Sequence, residues 1–436
     1  MSQAPSIETL VGLVKASAAE AANYQERFAA EDTEARKIVD IMEHFLRITA
    51  RVVYGGAAIN AHLSPATKFY DPKLYLPDYD FMTPDPLQDC ADLITSFQAE
   101  GFTEVEAKFG IHEGTYKIFV NFRPAADITY MPPDIYERII TDADVIEGIH
   151  YASVNYLRMN MYLELSRPAG MVSRWEKVYE RLLLLNAEFP LKAGNCGKQD
   201  PLEALASGEG EGEGEGEGKG EGEGKGEGSL HDRIVKTGIE AKAVFLSGAS
   251  YLVGKEPDPE EVVLMMSEHA SSLLISDDLR ALKQIRYEAM GELLPARIEI
   301  RTNRRKLVAV IFETVACHSY TTLDEGYRLG SLDLLIQMYY AMYFAKLTNY
   351  VSVRLLCLIQ ALIEREATMR LRLAARGKRK TREKAFALTC IGHQPTMPEL
   401  KKAHRARVIE KHKDLQGALR IQESFRVSRK KRRQIK

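Results

Sequence analysis

A strict alternation of glycine with charged residues constrains this sequence more than any other feature. Every second residue from Gly208 to Gly228 is Gly, and the positions between them hold eight Glu and two Lys. A segment without apolar side chains cannot join a packed core, so residues 207–229 are predicted to form a disordered linker without a catalytic role. The chain of 436 residues is therefore expected to fold as separate units on either side of this linker, because domains commonly contain about 100 to 200 residues.

The overall composition is that of a soluble globular protein. Apolar residues make up 45% of the sequence and charged residues 28%, which argues against a wholly disordered or fibrous chain. No apolar run reaches the roughly 18 to 20 residues that a membrane span needs, and the first residues do not resemble a signal peptide. The five cysteines lack the paired spacing of a zinc site, so we expect reduced thiols in a cytosol-like compartment.

The C-terminal part of the sequence is strongly basic, although the net charge of the chain is only −2. Residues 361–436 contain 23 Lys or Arg and 7 Asp or Glu, with dense clusters at Arg376 to Arg382 and Arg429 to Arg433. Such clusters neutralise nucleic-acid phosphates, which favours an RNA or DNA contact. A solvated basic tail or a nuclear-import signal is the alternative interpretation.

The apolar periodicity before the linker predicts an α+β fold, a mixed sheet with helices on one side. Helical spacing is found at 33–50, 57–63, 87–100 and 152–185, and strand-like stretches at 51–54, 73–82, 116–122 and 125–130. After the linker the pattern predicts a second α/β unit followed by a helical, basic C-terminal region. The predicted division is an N-terminal helical extension (1–34), a catalytic domain (35–200), the linker (207–229), a second domain (230–330) and a C-terminal region (331–436).

Three aspartates are predicted to lie on neighbouring strands, where they could bind metal ions for a reaction at a phosphate. Side chains alternate between the faces of a strand, so Asp78 and Asp80 are expected to project together while Tyr79 packs on the other face. Asp127 lies among small and apolar residues of a later strand, where a lone carboxylate is costly unless a cation accompanies it. Two magnesium ions held by such carboxylates neutralise a triphosphate and activate an attacking hydroxyl.

A glycine pair precedes these carboxylates in the sequence. Gly55 and Gly56 are predicted to form a sharp turn between a short strand and a helix, which aims the helix N-terminus at an anion. An Asp-x-Asp pair alone is usually a solvated turn, and a Gly-Gly pair alone is usually just a turn. The order strand, Gly-Gly, helix, Asp-x-Asp strand, Asp strand favours nucleotidyl transfer.

Six motifs make the first part of the chain resemble a known family. They are Tyr54 to Asn60 (YGGAAIN), Lys68 to Pro72 (KFYDP), Leu76 to Phe81 (LPDYDF), His112 to Tyr116 (HEGTY), Ala126 to Ile128 (ADI) and Ser173 to Tyr179 (SRWEKVY). Together they resemble the catalytic poly(A) polymerase subunit of nucleocytoplasmic large DNA viruses, whose catalytic domain is of the DNA polymerase β-like nucleotidyltransferase type. The resemblance extends from about residue 52 to residue 190, and the second domain is by analogy expected to be a degenerate nucleotidyltransferase-like unit.

The resemblance implies roles for individual residues. Asp78, Asp80 and Asp127 would be catalytic and hold two Mg²⁺ or Mn²⁺ ions, and Gly55 and Gly56 would contact the ATP triphosphate. The basic helix face formed by Arg174, Lys177 and Arg181 would reach the β- and γ-phosphates. Lys177 is the preferred candidate of the three because a single flexible ammonium suits a phosphate. A solvated helix face is the alternative.

The activity implied by the resemblance is template-independent addition of AMP from ATP to an RNA 3′ end. A processivity subunit is a possible partner, no membrane is involved, and the expected location is the virion or the cytoplasm of an infected cell, or the nucleus because of the basic clusters. Two alternatives remain open at this point. One is a nucleotidyltransferase with another product, such as oligo(U), 2′-5′ oligoadenylate or a cyclic dinucleotide; the other is a non-catalytic RNA-binding scaffold of the same fold.

Overall fold

A computed structural model describes most of the chain outside the Gly/Glu segment. The described residues are 11–24 (without 19 and 23), 32–70, 77, 79–194, 196, 230–247, 262–272 (without 268), 282–302 (without 292), 305–323, 326–347, 352–376, 384–411 and 413. The predicted linker, Asp78 and the basic clusters at 377–382 and 429–433 lie outside them. Among the described residues, no helix is both long enough and apolar enough to cross a lipid bilayer.

The first part of the chain forms a seven-stranded mixed sheet in the order β3-β4-β5-β2-β1-β7-β6. Its strands are β1 (Val52–Tyr54), β2 (Tyr79–Thr83), β3 (Val105–Phe109), β4 (Thr115–Val120), β5 (Arg123–Tyr130), β6 (Asp144–Ile146) and β7 (Ile149–Tyr151). The helices of this part are α1 (Thr33–Thr49), α2 (Gly55–His62), α3 (Pro86–Ala99), α4 (Pro133–Thr141), α5 (Val154–Leu165) and α6 (Trp175–Glu188).

Helix α1 shows how the sequence determines these elements. The Asp32 carboxylate caps its N-terminus by accepting from the backbone N–H groups of Glu34 and Ala35. Residues at helical spacing, among them Ile38 and Met42, are buried on one side of it and join the core. The helix was predicted at 33–50 and is confirmed within one residue.

The second part of the chain forms an eight-stranded sheet in the order β10-β11-β12-β9-β8-β14-β13-β15. Its strands are β8 (Val244–Phe245), β9 (Val262–Met266), β10 (Lys283–Tyr287), β11 (Ala296–Arg301), β12 (Leu307–Glu313), β13 (His318–Thr322), β14 (Arg328–Gly330) and β15 (Thr389–Ile391). The helices are α7 (Leu230–Glu240), α8 (Leu332–Ala345), α9 (Ser352–Arg376) and α10 (residues 397–411).

The two sheets have the same topology. Strands β10, β11, β12, β9, β8, β14 and β13 correspond in order to β3, β4, β5, β2, β1, β7 and β6, and every neighbouring pair has the same relative direction. Each unit then continues into a helix capped by a serine, Ser153 for α5 and Ser331 for α8. These two helices pack against each other, so the apolar core runs continuously from one unit into the other.

The predicted α+β class with a mixed sheet is confirmed, but several element boundaries differ. Helix α2 begins at Gly55 and not at residue 57, and the long helical pattern at 152–185 is divided into α5 and α6 because Pro168 and Gly170 interrupt it. The short strands β3, β6 and β7 were not predicted. Of the strand predicted at 73–82, residues 71–76 and 78 lie outside the described residues.

The expectation of five reduced cysteines is wrong for four of them. Cys196 is bonded to Cys357, with their Cα atoms 5.6 Å apart, and Cys317 is bonded to Cys390, with their Cα atoms 5.3 Å apart. The partners are 161 and 73 residues apart in sequence, so spacing gave no sign that the fold brings them together. Cys90 is free and buried.

Candidate active site

Two of the predicted carboxylates lie side by side on neighbouring strands. Strands β2 and β5 are parallel, and their register pairs Asp80 with Asp127. Both residues are partly exposed, whereas Tyr79, on the opposite face of β2, is buried and donates from its hydroxyl to the Glu43 carboxylate. Strand alternation therefore separates a packing face from a face that presents two carboxylates to solvent. Asp78, predicted to share this face, lies outside the described residues.

Asp127 is not alone, as its apolar sequence neighbours suggested. Lys117 of β4 is directly opposite it in the antiparallel ladder and forms an ion pair with its carboxylate. The sequence led us to expect a metal ion beside this carboxylate, and the structure pairs it with the Lys117 ammonium group. Ten residues separate the two positions, and only the β4–β5 register brings them together.

The glycine turn lies directly against the Asp80 carboxylate. Gly55 has a φ of +72°, and a Cβ atom at this position would lie 2.6 Å from Asp80 Oδ2. Only Gly combines this left-handed conformation with so close an approach. The turn places the N-terminus of α2 next to the carboxylate pair, as the Gly-Gly signal predicted.

The side chain of Tyr54, the N-cap residue of α2, does not cap the helix. The Tyr54 hydroxyl lies 2.8 Å from Thr129 Oγ1 instead. Burial raises the pKa of the Tyr54 hydroxyl, and the negative charges of Asp80 and Asp127 raise it further. Tyr54 thus stays a neutral hydrogen-bonding group beside the first turn of α2.

Arg181 of α6 is the basic residue that the fold brings to the glycine turn. Its Nη1 atom lies 3.0 Å from where a Cβ of Gly56 would be, and its Nη2 donates to the Tyr70 hydroxyl at 2.7 Å. The guanidinium also lies over the Phe69 ring, 4.2 Å from the centroid. Asn60 of α2 holds this loop by accepting from the backbone N–H groups of Phe69 and Tyr70.

The other two basic residues of the predicted face, Arg174 and Lys177, precede Arg181 and lie near the start of α6. Arg174 forms an ion pair with Glu164, from Arg174 Nε to Glu164 Oε1 at 3.0 Å, and Lys177 is exposed. Burial raises the pKa of the Glu164 carboxyl, while the charges of Arg174 and Arg181 lower it. The predicted helical face is divided, since Lys177 and Arg181 lie on α6 whereas Arg174 belongs to the short 3-10 turn before it, and the pattern did not show that Arg181 is the one packed against Gly56.

The corresponding positions of the second sheet are apolar. Val263 of β9 and Val310 of β12 are paired as Asp80 and Asp127 are in the first sheet. The pairing with the outer neighbours supports this correspondence of Val263 with Asp80 and of Val310 with Asp127. Strand β8 pairs with β9 as β1 pairs with β2, and β11 pairs with β12 as β4 pairs with β5. Glu299 stands there in place of Lys117. The second sheet therefore has the same framework without the acidic pair.

The donor set of the first sheet fits a divalent cation of the magnesium type. Such ions prefer carboxylate oxygens, and Asp80 and Asp127 offer them on adjacent strands, about 4.8 Å apart at the backbone. Among the residues that the structure describes, no group of three or more His, Cys, Asp or Glu side chains is arranged to hold a metal ion. Asp78, which would complete a set of three carboxylates, is not among them.

Comparisons with known proteins point to one family for this domain. Residues 40–171 match the family model described as "Poly(A) polymerase catalytic subunit". A protein of Acanthamoeba polyphaga mimivirus described as such a subunit is 34% identical over 163 residues, which are 36% of this chain and 27% of that protein. An African swine fever virus protein (isolate Tick/Malawi/Lil 20-1/1983) with the same description is 25% identical over 168 residues, 37% of this chain and 35% of that protein.

The matching segment thus spans about a quarter of the mimivirus relative and about a third of the African swine fever virus relative. The likeness of fold extends much farther along the chain. The crystal structure of the Megavirus polyadenylate synthase aligns with a TM-score of 0.70 and 19% identity, covering 95% of this chain and 85% of that one. The family match, the curated viral relatives and the shared fold together confirm the resemblance to viral poly(A) polymerase catalytic subunits that the motifs predicted.

Proposed function

We propose that this protein is a template-independent polynucleotide adenylyltransferase that adds AMP from ATP to RNA 3′ ends. In this reaction the RNA 3′-hydroxyl gives up its proton to water and its oxygen forms a bond to the α-phosphorus of ATP. The bond from that phosphorus to the oxygen bridging to the β-phosphorus breaks, and pyrophosphate leaves with its electrons. The observation that carries the proposal is the pairing of Asp80 with Asp127 beside the Gly55 turn. The choice of ATP and RNA is supported by the viral relatives.

Each part of the proposed site has a task that its chemistry allows. Asp78, Asp80 and Asp127 would hold two Mg²⁺ or Mn²⁺ ions, which when bound would neutralise the triphosphate and lower the pKa of the attacking hydroxyl. Gly55 and Gly56, at the start of α2, would let its backbone N–H groups approach the phosphates. Arg181 presents a planar, permanently charged group beside them. Lys177 and Arg174 remain candidates for contacts with the more distant phosphates.

An extension assay with separate nucleotides tests the proposed function. The full chain would be incubated with Mg²⁺, a 5′-labelled single-stranded RNA and one nucleoside triphosphate at a time, and the linkage of the product would be determined. We expect a ladder of 3′-5′-linked additions with ATP. Extension with UTP alone, a 2′-5′ linkage or a cyclic product would identify one of the alternative nucleotidyltransferases. RNA binding without any product would identify the non-catalytic scaffold.

Replacing Arg181 by Met is expected to raise the KM for ATP about 10- to 100-fold with a smaller effect on kcat. A hydrogen bond to a charged group contributes about 1.5 to 3 kcal/mol, and this one would form with the bound nucleotide before the chemical step. Steady-state kinetics at saturating RNA measures both constants. Arg365→Met, at an exposed position of α9, is the matched control and should leave the KM unchanged. A normal KM for Arg181→Met together with a raised KM for Lys177→Met would assign the triphosphate contact to Lys177 instead.

Replacing Lys117 by Met is expected to tighten Mn²⁺ binding to the nucleotide-free protein about fivefold. The Lys117 ammonium competes with a divalent cation for Asp127, and a partly exposed ion pair contributes up to about 1 kcal/mol. Titration followed by electron paramagnetic resonance measures free Mn²⁺ directly, without turnover. Lys108→Met is the control, because Lys108 is on the same face of the sheet but pairs with Glu106. Weaker Mn²⁺ binding to Lys117→Met would contradict competition at Asp127.

The partner, the location and the domain division belong to the same proposal. A processivity subunit is proposed as a partner, as the resemblance to a catalytic subunit suggests, and the virion or the cytoplasm of an infected cell as the place of action, with the nucleus as an alternative. We also propose that residues 35–200 form the catalytic domain and that residues 207–229 link it to a second, non-catalytic domain at 230–330. Residues 331–436 would form the C-terminal region.

A further inference from the structure

The C-terminal basic region contains a helix whose position relative to the candidate active site is defined. Helix α10 (residues 397–411) carries five Lys or Arg and two Glu. Most of its residues are exposed, among them Lys401, Lys402, Arg405 and Lys411. Its other basic residues, His404 and Arg407, are half-buried.

The start of α10 is anchored to the second sheet. Strand β15 pairs with β13, and the bond from Cys390 to Cys317 crosses the same pair of strands. At Gly392 the chain turns with a φ of +79°, so close to the Ala316 carbonyl oxygen that a Cβ atom has no room. Thr396 and Glu399 then form a capping box, in which the Glu399 carboxylate accepts from the Thr396 backbone N–H at 2.7 Å.

The body of α10 is fastened to the edge of the first sheet. His404 Nε2 lies 3.0 Å from the carbonyl oxygen of Phe109, at the end of edge strand β3, and Arg407 Nη2 donates to the carbonyl oxygen of Ile111 at 2.9 Å. These residues are almost 300 positions apart in the sequence. Helix α10 therefore connects the second sheet to the first sheet.

Lys401, Lys402 and Arg405 of α10 are exposed and make no part of this contact. His404 and Arg407 are three residues apart and share the docked face of the helix. At 100° per residue Lys402 and Arg405 lie on other sides of the helix, and Lys401 lies at the border of the docked face, one turn from Arg405. Since all three are exposed, they form a cationic stripe on a helix that is held in place.

The contact of α10 with β3 lies near the candidate active site. The registers of the first sheet align Lys108, Lys117 and Asp127 on successive strands, and all three therefore lie on one face. Only two strand spacings, about 10 Å, separate β3 from β5. A polyanion bound along α10 would thus come close to the carboxylate pair at one of its ends.

We propose that α10 is a binding site for the RNA backbone, with Lys401, Lys402 and Arg405 contacting phosphates upstream of the 3′ end held at Asp80 and Asp127. This inference rests on the proposed function. Single-stranded RNA matches this stripe because its phosphate charges repeat along the chain, as the cations repeat along the helix. An RNA whose 3′ end lies at the carboxylate pair can also extend far enough to reach α10. The residues that follow in the sequence, 413–436, add further Lys and Arg.

Charge reversal tests this site without any turnover. The variant would carry Lys401→Glu, Lys402→Glu and Arg405→Glu, and fluorescence anisotropy would measure its affinity for a long single-stranded RNA and for a trinucleotide. The control would carry Lys236→Glu, Arg365→Glu and Arg372→Glu, three exposed cations of α7 and α9. Both sets change the net charge equally.

We expect the α10 variant to bind the long RNA at least tenfold more weakly than the control does. The slope of log affinity against log salt concentration should also fall by about 2, since each single-stranded phosphate contact contributes about 0.7. Binding of the trinucleotide, which occupies only the carboxylate end, should match the control. Equal RNA affinities and equal salt slopes for the α10 variant and the control variant would overturn the proposal. An equal loss of affinity of the α10 variant for the long RNA and for the trinucleotide would overturn it as well. Either result would favour an acidic protein as the partner of α10. A third outcome separates the two proposals. If the wild-type protein binds long RNA through α10 but does not extend it with ATP, the proposed function is wrong and the RNA site on α10 stands.

Discussion

Replacement of Asp127 by Asn is expected to reduce AMP incorporation about a thousandfold, and replacement of Asp80 by Asn should have a similar effect. An amide keeps the shape of the side chain but removes the negative charge that holds a divalent cation, and about 4 kcal/mol of transition-state stabilisation is a typical loss. The expected loss is in kcat, because RNA affinity depends mainly on cations elsewhere in the chain. Single-turnover extension at saturating ATP and RNA measures it.

Asp92→Asn is the matched control for these two substitutions. Asp92 is an exposed residue of α3 in the same unit, and it accepts a hydrogen bond from Gln88. This variant should extend RNA at the wild-type rate. The thermal midpoint of each variant separates loss of chemistry from loss of fold. An Asp127→Asn variant that is folded and retains more than a tenth of the wild-type rate would contradict the role assigned to Asp127.

Replacement of Gly55 by Ala is expected to reduce kcat/KM about a hundredfold. The added Cβ would lie 2.6 Å from Asp80 Oδ2, so either the carboxylate or the turn must move. Misplacement of a catalytic group by about 1 Å costs on the order of 100-fold in rate. Both the carboxylate pair and the N-terminus of α2 would be affected, because Gly55 belongs to each.

Gly101→Ala provides a control with the same backbone strain. Gly101 has a φ of +91°, but an added Cβ atom would meet nothing within 4 Å. Both variants should therefore lose about 1 kcal/mol of stability from the left-handed conformation, measured by chemical denaturation. Only Gly55→Ala should lose activity. Equal activities of the two variants would show that the close approach to Asp80 is unimportant.

Local sequence patterns predicted the centre of this site because its parts follow strand and turn rules. Alternation placed Tyr79 on the packing face and Asp80 on the open face, and the Gly-Gly pair predicted the turn before α2. Asp127 was recognised because a carboxylate among small apolar residues is unusual. Each of these signals is confined to a few neighbouring positions, which periodicity and composition can reveal.

The partners of these residues could not be predicted, because they depend on contacts between distant segments. Lys117 meets Asp127 through the β4–β5 register, and Tyr70 meets Arg181 across 111 residues of sequence. The helical spacing of Arg174, Lys177 and Arg181 identified a basic face but not the residue that packs on Gly56. Arg181 packs against Gly56, whereas side-chain chemistry favoured Lys177 for the phosphate contact.

Local sequence patterns gave no sign of the repeated topology of the second sheet, although the family resemblance led us to expect a degenerate nucleotidyltransferase-like unit there by analogy. Its equivalents of Asp80 and Asp127 are Val263 and Val310, and the buried strands around them read only as apolar runs. The strand order and directions, and not any motif, relate the two sheets. The same limitation applies to the disulfides, whose partners come from distant parts of the chain.

The most direct test of the proposed reaction is the release of pyrophosphate from ATP by the full chain in the presence and absence of single-stranded RNA. The site formed by Asp80, Asp127 and the Gly55 turn predicts release that requires both Mg²⁺ and an RNA with a free 3′-hydroxyl. One pyrophosphate should appear for each AMP incorporated, and the rate of release should fall about a thousandfold with Asp127→Asn. Failure of the wild-type protein to release pyrophosphate or extend RNA with ATP, or equal release by the Asp127→Asn variant, would contradict adenylyl transfer at this site.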